Sequence, residues 1–133
     1  MNVGLDTSVV LRLLTGEPAD LAEKVLARVM AVISAGGRCT VNDLVVSEAY
    51  FGLQHHYGMP KAAALAALAD MSQAPGFSFS PSATSLLQMA GLARSNPGFI
   101  DRLIHADYRH AASGMLTCER AASRLSHVEV ISP

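Results

Sequence analysis

The apolar positions follow two alternating rhythms along the chain. Short runs of strand length fall at 3–5, 39–41, 77–79, 115–117 and 128–131, and longer stretches between them repeat at helical spacing. Residues 9–14 read as a first helix. Pro18 opens a second, with Leu21, Val25, Val29 and Ile33 expected on its buried face and Gly36-Gly37 as its stop. Asn42 or Asp43 is placed to cap a helix running to about Tyr57, with Gly58 at its end. Pro60 opens an alanine-rich helix that Pro75-Gly76 closes, and Ser80-Pro81 starts another that fails by Asn96-Pro97-Gly98. Residues 100–112 and the shorter 119–125 complete the helical set.

Strands separated by helices predict an α/β chain in three α/β/α layers around a central, short-stranded parallel sheet. In such sheets ligands meet the chain beyond the carboxyl ends of the strands. With 133 residues, half of them hydrophobic, residues 1–133 are expected to form a single domain with a substantial core. Charged residues make up only 16%, so each clustered acid merits individual attention. Ten basic and eleven acidic residues nearly cancel, which gives no overall basic footprint for nucleic acid. Cys39 and Cys118 lack zinc spacing and suggest two buried thiols in a reducing compartment. Met1-Asn2-Val3-Gly4-Leu5-Asp6 has no basic region leading into a long apolar stretch, and 21–35 is too short and too charged to span a bilayer. A cytoplasmic location is the expectation.

Topology brings four acids toward one edge. Asp6 follows the first strand and Glu119 the fourth. Asp101 opens the helix leading into the fourth strand, and that helix is expected to start at the same edge. Glu48 lies about one and a half turns into the helix after the second strand, between Leu44 and Phe51, so it reads as an acid on an apolar stripe. Such an acid is costly unless paired or metal-bound. Close carboxylates repel unless a cation sits between them, and a hard divalent ion such as Mg²⁺ or Mn²⁺ suits oxygen ligands. Simpler roles compete with each assignment: Asp6 as a helix cap, Asp101 as a first-turn acid favoured by the helix dipole, Glu119 as a solvated acid, Glu48 as a stripe-border residue reaching water.

These residues resemble the PIN domain, and specifically VapC-type ribonuclease toxins of bacterial toxin–antitoxin pairs. Leu5-Asp6-Thr7-Ser8-Val9-Val10-Leu11 is similar to that family's opening, Val45-Val46-Ser47-Glu48 to its second acidic motif, and Phe99-Ile100-Asp101-Arg102-Leu103-Ile104 to its third. Leu116-Thr117-Cys118-Glu119 falls where a fourth acid is expected, usually Asp, and His105 stands where a small residue is usual. The resemblance covers nearly the whole chain in order. It implies Asp6 and Asp101 as principal metal ligands, Glu48 and Glu119 completing the catalytic pocket, and Ser8 supporting it. It also implies Mg²⁺- or Mn²⁺-dependent cleavage of RNA, a homodimer, and a cognate antitoxin that silences the enzyme.

Thr117 is a further supporting candidate, and Arg102, Arg120 and Arg124 are candidates for a phosphate-binding rim, with ordinary solvated charge as the alternative. His105, four residues after Asp101, is a candidate to touch the pocket and make activity pH-sensitive; a half-buried ring bonded to backbone is the competing expectation. Arg12 is placed to pair with an acid at the pocket mouth. His55-His56 read as surface or cap residues. Aromatics total only 5%, which argues against a dedicated base-stacking groove, and Tyr50, Phe51, Tyr57 and Tyr108 read as core or interface. Two rival functions stand beside the nuclease. One is a binding module with a decayed acid set. The other is a receiver-like phosphoacceptor domain, disfavoured because the only lysines, Lys24 and Lys61, lie in early helices.

Overall fold

A computed structural model describes residues 1–133. Three short strands, β1 (Asn2–Gly4), β2 (Arg38–Val41) and β3 (Phe77–Phe79), form a parallel sheet in that order. Val3 lies opposite Cys39, and Cys39 opposite Phe77. The crossovers hold pairs of helices: α1 (Thr7–Thr15) and α2 (Ala19–Ser34) between β1 and β2, then α3 (Asp43–His55) and α4 (Lys61–Gln73) between β2 and β3. After β3 come α5 (Pro81–Leu87), a 3₁₀ turn at Leu92–Arg94 and α6 (Phe99–Ala111). The chain ends with β4 (Met115–Thr117), a second 3₁₀ turn at Arg120–Arg124 and β5 (Val128–Val130).

The helix starts follow from local chemistry. The Asn42 side chain accepts from the Val45 N–H at 2.9 Å, and Ser80 Oγ accepts from the Ala83 N–H at 3.1 Å, so each caps a helix at the end of a strand. Gly76 ends the α4–β3 turn at φ 87°, in the left-handed region, where a Cβ would also meet Ile33 side-chain atoms at 2.7–2.8 Å. Gly52 faces Leu11 of α1, where a Cβ would sit at ordinary contact distance, 3.4 Å. The core joins sheet and helices through Val10, Val41, Val46, Leu53, Leu68 and Phe99, and no polar or charged residue is buried in it. Each such side chain contributes about 1.5–3 kcal/mol by leaving water.

The three-layer α/β/α expectation holds, with four departures in detail. β4 and β5 pair in parallel with each other and form a separate two-stranded sheet, so the strands do not make one continuous sheet. Sequence rhythm marks strands but does not choose their partners. Of the expected buried face of α2, Val29 is buried and Val25 and Ile33 pack against the core, joined by Ala22 and Val32, whereas Leu21 is turned outward. The helix expected to reach Asn96 stops at Leu87, and a 3₁₀ turn follows. Cys39 is buried as expected, whereas Cys118 is exposed. No helix is long and apolar enough to cross a membrane.

Candidate active site

The carboxyl ends of β1, β2 and β3 open on one edge, and three polar groups follow them directly: Asp6, the Asn42-Asp43 pair, and Ser80. Asp6 is the N-cap of α1, and its Oδ1 accepts from the Thr7 backbone N–H at 2.7 Å. The Thr7 hydroxyl then donates to Oε1 of Glu48 at 2.9 Å. One residue therefore links a carboxylate at the end of β1 to a carboxylate on the second turn of α3. A second link lies beside it: Ser80 Oγ donates to Asp43 Oδ1 at 2.7 Å while capping α5. These two links fasten α1 to α3 and α3 to α5 at the edge where a substrate would arrive.

Glu48 is exposed, and so are the neighbours that suggested an apolar stripe. Leu44 is 76% exposed and Phe51 46% exposed, so Leu44, Glu48 and Phe51 share the outer face of α3. Burial therefore does not explain an acid there; the Thr7 hydroxyl fixes its place. Thr7 and Asp43 were missed as site residues. The signal for Thr7 was its position in the first turn after Asp6, beside the more conspicuous Ser8. Ser8 is exposed, and its carbonyl accepts from Arg12 Nη1 at 3.5 Å. Arg12 pairs with no acid, and its Nε is buried without a hydrogen-bond partner.

Asp101 is exposed in the first turn of α6. Phe99 packs edge-on against Tyr50 at a centroid separation of 5.5 Å. Further along, Asp43, Leu44 and Ser47 face Leu103, Asp107 and Tyr108 across a cleft of about 310 Å³. The middle and later turns of α6 thus face the first turns of α3. Glu119 is exposed after β4, where its N–H donates to Thr117 Oγ1 at 3.0 Å. No hydrogen bond joins Asp101 or Glu119 to the Asp6–Glu48 pair, and no three His, Cys, Asp or Glu side chains gather closely enough to enclose a metal ion.

Two of the candidate rim arginines hold the backbone of one loop. Arg102 Nε donates to the Pro97 carbonyl and Arg124 Nη1 to the Asn96 carbonyl, both at 2.8 Å, while Arg120 is exposed. His105 Nε2 donates to the Ser126 carbonyl at 2.7 Å, so the ring anchors the segment before β5 and not the acidic pair.

A comparison with protein families matches the PIN domain over residues 3–128. The chain belongs to the PIN-domain family. PIN domains are generally nucleases, which makes a nuclease the function class of this chain. No curated protein and no solved structure gives a significant match. The PIN match spans all three strand ends, the Asp6–Thr7–Glu48 link, Asp101 and Glu119.

Proposed function

We propose that this PIN domain is a Mg²⁺- or Mn²⁺-dependent endoribonuclease, the toxin of a type II toxin–antitoxin pair, with residues 1–133 acting as one nuclease domain in the cytoplasm. The observation that carries this reading is the link from Asp6 through Thr7 to Glu48. It holds two carboxylates from separate elements together at the open edge of the sheet. An all-oxygen donor set fits a hard divalent ion, and Mg²⁺ commonly needs only one or two protein carboxylates, keeping water on its other positions. Asp6 and Glu48 would hold such an ion, with Asp101 and Glu119 as further carboxylates of the pocket. When bound, the ion would supply charge neutralisation for the scissile phosphate and a more acidic water.

The chain's own residues contribute position. Thr7 orients Glu48, Asp6 presents its carboxylate from a helix start, and the Thr117 hydroxyl turns the chain at Glu119. Arg120 is free to meet RNA phosphate, whereas Arg102 and Arg124 would do so only with groups not engaged by the Asn96–Pro97 loop. Leu26 and Met30 are exposed one turn apart on α2 and offer an apolar surface to a protein partner, here an antitoxin or a second copy.

The test is cleavage of an RNA panel by purified protein with Mg²⁺, with Mn²⁺ and with EDTA, beside Asp6→Asn and Asp101→Asn. Metal-dependent cutting lost in both variants supports the proposal. A folded, antitoxin-free protein that cuts nothing with either metal overturns it. That outcome favours a module that binds RNA or a protein partner, a reading supported by the position of Glu119 just after β4, a strand of the separate two-stranded sheet.

A further inference from the structure

The outer face of α3 carries an aromatic pair beside the acidic link. Phe51 and His55 lie one turn apart, both exposed, with ring planes 15° apart and centroids 6.2 Å apart. The two rings stack in near-parallel planes and leave aromatic surface facing outward. Phe51 is 46% exposed, yet it is braced: Tyr50 meets its ring at 5.3 Å and 61°, and Tyr50 in turn meets the buried Phe99 at 5.5 Å and 74°. A chain of aromatic contacts thus runs from the core to the surface and ends in an uncovered ring. Glu48 shares this face, and Phe51 follows it by three residues, roughly 4.5 Å along the helix axis.

From this arrangement we infer that Phe51 and His55 form a stacking platform for a nucleobase of single-stranded RNA whose backbone passes the Asp6–Glu48 pair. The inference rests on the ribonuclease reading of that pair and adds how substrate is held there. A rigid, exposed π-face stacks on any base without choosing its identity. The imidazole beside it offers polar ring edges to a heteroaromatic base, which an aliphatic protein surface would leave unpaired. A base unstacked onto this platform leaves its phosphate within a helical turn of Glu48. A duplex, whose bases are stacked internally, has no free face to offer. The low aromatic content still argues against a long stacking groove; a single platform needs only these two rings.

The chain contains no tryptophan, so Phe51→Trp places a single fluorescent reporter at the platform. Quenching of that reporter by a metal-free, single-stranded oligoribonucleotide, but not by an abasic strand of the same length, is the expected result. In anisotropy titrations Phe51→Ala should bind the base-bearing strand about five- to a hundredfold more weakly, and the abasic strand as the unaltered chain does. Phe51→Tyr should stay within about twofold of the unaltered chain, since the ring is kept. Equal binding of the base-bearing strand by Phe51→Ala, or equal quenching by both strands, overturns the platform. So does light scattering in which Phe51→Ala merely converts a dimer to a monomer with affinity following assembly, because the face is then an interface between copies. Cleavage separates this inference from the parent one. Base-dependent quenching without any metal-dependent cutting keeps the platform and removes the nuclease, whereas cutting with unaltered KM in Phe51→Ala keeps the nuclease and removes the platform.

Discussion

The Thr7 hydroxyl donates to Oε1 of Glu48 at 2.9 Å, across forty-one residues of sequence. The Thr7 backbone N–H is held at the same time by Asp6, so the threonine side chain and main chain serve two carboxylates. Removing the hydroxyl frees Glu48 while leaving the Asp6 contact. Thr7→Val should lower kcat/KM for RNA cleavage about tenfold, equivalent to roughly 1.4 kcal/mol of lost positioning, and Thr7→Ser should restore most of it. The bond is solvent-accessible, so urea unfolding should change by less than about 1 kcal/mol.

Asp6 has two separable duties. Asp6→Asn keeps a side-chain oxygen for the Thr7 N–H and removes the charge, so cleavage should vanish with the unfolding midpoint nearly unchanged. Asp6→Ala removes both and should cost about 0.5–1 kcal/mol in addition. Comparing the unfolding curves of the two variants checks this.

Ser80 joins three elements through one oxygen, donating to Asp43 and accepting from Ala83 at the start of α5. Ser80→Ala should destabilise the fold by about 1–2 kcal/mol in urea unfolding. Ser80→Thr should recover part of that loss.

His105 anchors the Ser126 carbonyl. His105→Ala should leave the shape of the pH–rate profile unchanged. Amide hydrogen exchange across 115–130 should quicken while that of α3 does not, because the lost contact belongs to the β4–β5 unit. A profile whose shape changed with His105 would place the ring at the chemistry after all.

Strands and helix starts were legible in the sequence because their punctuation is local. Asn42, Ser80, Pro60 and Gly76 each act within a few residues, and each marks a boundary close to where the structure has it. The family was legible for a different reason, since four short motifs resemble one family and the PIN match covers all four of them. Pairing and facing were not legible. Whether β4 joins β1 or stands with β5 depends on contacts distant in sequence. Leu44 and Phe51 imitate a core stripe because apolar residues at helical spacing look alike whether they face inward or outward. Thr7 escaped notice because a hydroxyl in a helix's first turn has an ordinary capping role, and only the approach of α3 gives it a second acid to hold.

The interior contains no buried polar or charged side chain, so the carboxylates at the strand ends are held by hydrogen bonds at the surface and not by the packed core. Heredity can therefore alter the chemistry and the scaffold almost independently. Under the proposed nuclease reading, a single base change at Glu48 or Glu119 is expected to abolish cutting with little penalty in folding, and a reversal to restore it as readily.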